Sequence, residues 1–200
     1  VDADGNGCDT RDEVLYRQND ARDRHCGDDK GKWTSAYDGV RFKDSSDLDV
    51  DHMVPLAEAW GSGGSKWKPY ARERFANDLY GYDLIAVSAS SNRSKGDSDP
   101  AEWLPPKHSY ICRYVAHWVA VKYRWKLTID QREKRVISKR FKNCPNGSLK
   151  LRKTKQANVK QSKPAKPHHP TGGGTDPRFD TCGEAIDHGY GPYYRGRDRE

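Results

Sequence analysis

The feature that most constrains this chain is residues 47–55, DLDVDHMVP. Leu48 and Val50 alternate there with Asp47, Asp49 and Asp51, the period of two expected of a half-buried strand, and the alternation stops at a histidine and a proline. The strand therefore ends on an Asp51-His52 pair. A second stretch, YDLIAVSASSNRSKGDSDP from Tyr82, offers a short apolar strand over 84–87 and then a serine-rich turn leading to Asn92, Arg93 and Lys95. A carboxylate, an imidazole, a carboxamide and two cations are the groups needed to cut a phosphodiester with one hard metal.

In that chemistry His52 is the general base, because an ordinary imidazole pKa of about 6.5 leaves it mostly neutral near pH 7. Asp51 and Asn92 offer hard oxygen donors suited to Mg²⁺, with Mn²⁺ or Ca²⁺ as alternatives, rather than to Zn²⁺. Arg93 and Lys95 are placed to bind phosphates and offset charge in the transition state. Adjacent strand residues point to opposite faces, so a twist at the strand end is required if Asp51 is to face a metal while His52 faces the phosphorus. Glu58, six residues beyond His52, is a further candidate ligand whose alternative is a solvated or structural role. Arg11, Arg41 and Lys43 are candidates for lining a substrate groove.

Around these stretches the pattern predicts several helices. Thr10 with Glu13 forms a capping box for a helix over 11–19, and Asp38-Gly39 signals a type I′ turn between strands at 32–37 and 40–43. Helices are expected at 56–60 and 70–80, then at 110–125, where Ile111, Val115, Trp118, Val119 and Tyr123 form one stripe with His117 beside it as a packing residue. Thr128 with Gln131 caps a last helix to about residue 141. Five cysteines lack CxxC spacing and zinc-like neighbours, which indicates disulfides in an exported protein. Sequence proximity pairs Cys8 with Cys26 and Cys112 with Cys144; Cys182 is then either free or paired with a segment outside this chain.

A hydrophobic content of 34% over 200 residues supports one modest core. No run of 18 apolar residues is present, so no transmembrane span is expected. The chain starts without an apolar targeting segment, as in a mature protein relieved of its leader or a cytosolic one that had none. Between Pro145 and Pro170 lie Lys150, Arg152, Lys153, Lys155, Lys160, Lys163 and Lys166 against no acid, matching the whole net charge of +7. Residues 145–174 thus read as a disordered basic linker, a solvated spacer or a polyanion-attracting segment, after a main domain at 1–144.

The segments DVDHMVPLAEAW and FANDLYGYDLIAVSASSNRSKGDSDPAEWLPP resemble the HNH (His-Me finger, ββα-metal) nucleases, most closely the secreted actinobacterial proteins of the DUF1524, GmrSD C-terminal type. With CDTRDEVL and the late helices ending at Cys144, the resemblance covers roughly residues 8–144. It implies an α+β fold with a ββα-metal core surrounded by helices, His52 as base, and Asp51 and Asn92 on one catalytic metal. Asp83 falls where the middle Asn of the HNH pattern pins the loop carrying the base. The tail at 175–200 resembles the start of an Excalibur module without its acidic ending. The implied protein is a secreted monomeric endonuclease with no membrane partner, acting on DNA or RNA with low sequence specificity and leaving 5′-phosphates. The alternatives are a cell-surface polyanion-binding protein with a degenerate site, and a metal-dependent hydrolase of a phospholipid or nucleotide.

Overall fold

The computed structural model describes residues 2, 6–145, 151 and 155–160. The tail at 175–200, with Cys182, lies outside the described residues. In chain order the elements are α1 (Thr10–Arg17), β1 (Lys30–Thr34), β2 (Arg41–Asp44), β3 (Leu48–His52), α2 (Leu56–Gly61), α3 (Pro69–Ala76), β4 (Leu84–Ser88), α4 (Ala89–Lys95), α5 (Ile111–Trp125) and α6 (Gln131–Lys142). The strands form two antiparallel pairs, β1 with β2 and β3 with β4, and the class is α+β.

The central pair carries the site. In its register Asp51 lies opposite Ile85 and His52 opposite Leu84, and α4 packs back across both strands. Residues 89–95, expected as a serine-rich turn, are this helix. Ser88 caps it by accepting the Ser91 N–H, and Gly96, at φ 50°, ends it. Serine is a poor mid-helix residue but a good cap, so the same residues signal a turn or a helix start depending on what packs beside them.

Three other expectations shift. The caps of α1 and α6 are Asp9 with Asp12 and Asp130 with Glu133, one or two residues away from the predicted boxes, since a carboxylate takes the free amides as readily as a hydroxyl. Asp38-Gly39 is not a two-residue turn. Residues 35–40 form a wider loop closed by the Ser35 amide on the Val40 carbonyl; the Asp38 carboxylate accepts the Val40 N–H within the loop through Oδ1 and the Ser88 and Ser91 hydroxyls through Oδ2. The helix expected at 70–80 stops at Ala76, where the side chain of Asn77 donates back to the Glu73 carbonyl.

The main core lies where α5 meets α3 and the β3–α2 turn. Trp118, Trp125, Tyr114, Phe75 and Met53 are fully buried there. Each large apolar side chain so buried contributes about 1.5–3 kcal/mol. Residues 155–160, placed by sequence in a disordered linker, dock on this core. Ala157 is 4% exposed and donates its N–H to the Arg124 carbonyl, Arg124 donates to the Lys155 carbonyl, and Val159 packs on the apolar cluster. A basic composition hid two apolar residues spaced to meet α5. Among the described residues no helix is long and apolar enough to cross a membrane.

Disulfides join Cys8 to Cys26 and Cys112 to Cys144, the second tying the start of α5 to the end of α6. Its loop spans 32 residues. Replacing Cys112 and Cys144 with serine is expected to cost about 3–4 kcal/mol in the chain-entropy account. Thermal melts of the oxidised protein and the double variant check this; a loss under about 1 kcal/mol would show that the helix pair holds without the link.

Candidate active site

β3 delivers two neighbouring side chains to opposite sides, as strand geometry demands. The His52 ring turns toward α3. It stacks on Phe75 with centroids 6.1 Å apart, and its Nε2 lies 3.0 Å from the Ala76 carbonyl. A carbonyl can only accept, so Nε2 carries the proton, and in the neutral ring Nδ1 keeps the lone pair. Burial lowers the His52 pKa to about 4, with the Lys95 ammonium adding to the same effect against the opposing Ala76 bond. This is an imidazole held neutral, in a fixed tautomer, at the end of a strand.

Asp51 points the other way, into a buried network. Its Oδ1 accepts from Lys95 Nζ at 2.9 Å and its Oδ2 from the Tyr37 hydroxyl at 2.5 Å. Lys95 Nζ also donates to the His52 carbonyl at 2.8 Å. Lys95 is 1% exposed, so it does not grip a phosphate as its place in the sequence suggests; it anchors the backbone that carries His52. Burial pushes the Asp51 carboxyl up, against the pull of Lys95, and pushes the Lys95 amine down. Burial likewise raises the Tyr37 hydroxyl well above its usual range, which keeps it a donor to Asp51.

Asp49, Asp51 and Asn92 lie where β3 meets α4. Asp49 and Asp51 share a face of β3, being two residues apart, and the Asn92 carboxamide donates to Asp49 Oδ2 at 3.0 Å. The Asn92 contact is thus with Asp49 and not with Asp51, whose nearest partner from α4 is Lys95. Among the described residues no three His, Cys, Asp or Glu side chains converge as a metal cage. The donor set at this junction is nonetheless all oxygen, and Mg²⁺ is commonly held by one or two carboxylates plus water and substrate phosphate. In chemistry the set fits a hard divalent cation, which would compete with Lys95 for Asp51.

The remaining candidates divide. Arg93 is exposed on α4 beside Asn92. Asp83 precedes β4 and its backbone carbonyl accepts the Met53 N–H at 2.6 Å, so it pins the chain just past His52 through its main chain. Its buried carboxyl oxygens make no well-formed hydrogen bond, the Val54 amide being the backbone donor that leans toward them. Burial, with Asp78 and Asp51 nearby, pushes that carboxyl well above the usual range. Glu58 is directed elsewhere, to Lys122 of α5 at 2.6 Å, which also binds Glu133 of α6. Its ion pair links α2 to the helical layer. Arg11 donates to the Ser45 and Leu48 carbonyls at 2.9 and 3.1 Å, fastening α1 to the entrance of β3 rather than lining a groove by His52. Arg41 and Lys43 are exposed on β2. His117 stacks on Tyr82 at 4.3 Å, a packing residue as its helical position implied. Tyr37, Asp49, Phe75 and the Ala76 carbonyl were missed by sequence reasoning. Only Asp49 carried a signal, its place two residues before Asp51.

An antiparallel strand pair crossed by a helix, with a neutral imidazole at the strand end, gives the chain its α+β frame. More narrowly, residues 10–140 match the C-terminal domain of the GmrSD restriction endonucleases, and the chain belongs to that family. It is also 41% identical over 139 residues to a protein of Arthroderma benhamiae described as an uncharacterized secreted protein, a match spanning 68% of each chain. That relative is fungal, so the likeness is not confined to the bacterial group named above. No solved structure matches the chain.

Proposed function

We propose that this protein is a secreted, monomeric endonuclease that hydrolyses phosphodiester bonds of DNA, and of RNA, with little sequence preference and leaves 5′-phosphate ends. The observation that carries the reading is His52, whose Nε2–H is fixed on the Ala76 carbonyl and whose burial keeps Nδ1 unprotonated. Nδ1 takes a proton from the attacking water. Lys95 holds the His52 carbonyl and Asp51 together, so the strand end keeps its geometry as the proton moves. Exposed Arg93 binds the strand's phosphates. Asp49, Asp51 and Asn92 would hold Mg²⁺, or Mn²⁺ or Ca²⁺ in its place, which when bound stabilises charge on the phosphorane and the departing 3′ oxygen. Secretion agrees with the disulfides and with the description of the fungal relative.

The test is supercoiled plasmid incubated with the protein in Mg²⁺ and in EDTA, with end analysis of the products. Nicking and linearisation lost in EDTA support the reading; metal-insensitive retardation without cuts would favour the polyanion-binding alternative. Arg93→Ala is expected to weaken binding to all sequences alike and to flatten the slope of log K against log salt by about 0.7–0.9, one phosphate contact. An unchanged slope would remove Arg93 from the substrate track.

A further inference from the structure

α2 begins four residues after His52 and turns two apolar side chains outward, Leu56 at 50% and Trp60 at 51% exposed, one helical turn apart. The Arg72 guanidinium lies over the Trp60 ring, 5.3 Å from its centre. Arg72 sits on α3, three and four residues before Phe75 and Ala76, the two residues that seat the His52 ring. A half-exposed indole with a cation over its face is thereby tied through one rigid helix to the base. Trp60 leaves about half its surface in water while Ala59 beside it is buried, so the ring is not needed to complete the core.

We propose that Trp60 and Arg72 form a stacking platform for an unpaired base of the nucleic-acid substrate, linked to the His52 seat through α3, so that the enzyme prefers single strands and extrahelical nucleotides to intact duplex. The inference rests on the nuclease reading above. A flat aromatic face takes any base by stacking without reading its edges, which suits an enzyme of low sequence preference, and the guanidinium adds charge complementary to the backbone. In a duplex both faces of each base are already covered, so the platform distinguishes the two forms.

The experiment measures fluorescence anisotropy of a labelled 20-nucleotide single strand and of a duplex of equal length. It uses the His52→Ala protein, then the same protein carrying Trp60→Ala or Trp60→Phe, with plasmid cleavage by the wild-type and Trp60→Ala proteins in parallel. Expected is tighter binding to the single strand, a loss of roughly tenfold or more there with Trp60→Ala, little change on duplex, and most of the affinity retained with Trp60→Phe. Equal losses on both substrates, or none, would overturn the platform. If the wild type cuts plasmid and Trp60→Ala binds single strands unchanged, the platform alone fails. Trp60-dependent single-strand binding without cutting by the wild type leaves the platform standing and removes the nuclease reading. Absence of both binding and cutting overturns both.

Discussion

His52→Ala is expected to lower the cleavage rate by about two to four orders of magnitude while the domain still folds. The ring lies between Phe75 and the Ala76 carbonyl at the edge of the core, so its removal takes away one stacking contact and one hydrogen bond but opens no large interior cavity. The sharper form of the prediction concerns pH. A general base works in its unprotonated form, so the rate rises as pH passes upward through the base pKa and is flat above it. For an ordinary histidine that limb lies near pH 6.5, whereas burial sets it at about 4 here. Values of kcat/KM from pH 3.5 to 8 on a fluorescent oligonucleotide should therefore be nearly constant between pH 5.5 and 7.5. An acid limb near 6.5 would show that the working ring is solvated.

The same shift has a stability consequence of definite sign. The folded pKa of His52 lies below the unfolded value, so the unfolded chain binds the extra proton between about pH 6.5 and 4, and stability is fully present above 6.5 and declines through that window. His117, lowered to about 4 by burial and then by Arg113, acts in the same direction. Melting temperature should therefore fall on mild acidification.

The second large effect belongs to Lys95. Lys95→Met leaves Asp51 at 6% exposure with the Tyr37 hydroxyl but no cation, and removes the donor that holds the His52 carbonyl. Breaking a buried ion pair on one side costs about 3–5 kcal/mol, or roughly 10 °C in melting temperature for a chain of this size. Activity should fall as well, because the backbone carrying the base loses its anchor. Asp51→Leu combined with Lys95→Met removes both charges and is expected to recover most of the stability but little of the activity. A single variant that melts like the wild type would mean that Lys95 and Asp51 are both solvated, and the buried network would have to be abandoned.

Much of this arrangement is legible in the chain, because period-two alternation fixes which residues share a face. DLDVDH places Asp49 and Asp51 together and His52 opposite them, whatever packs around the strand. The apolar stripe of α5 and the nearby cysteine pairs are likewise local patterns whose meaning does not depend on distant contacts. Tertiary structure decided what each face meets. Lys95 reads as an exposed cation in NRSKG, yet a helix laid across β3 and β4 carries it inward to Asp51 and leaves Arg93 to the solvent. Glu58 is near His52 in sequence, but the helix turn directs it to Lys122. The Ala76 carbonyl, which sets the His52 tautomer, has no signature in sequence at all, since every residue has a carbonyl and only the end of α3 brings this one within 3.0 Å. Spacing along a chain settles the face on which a charge leaves the backbone; whether that face is dry, and which partner waits there, depends on elements far away in sequence.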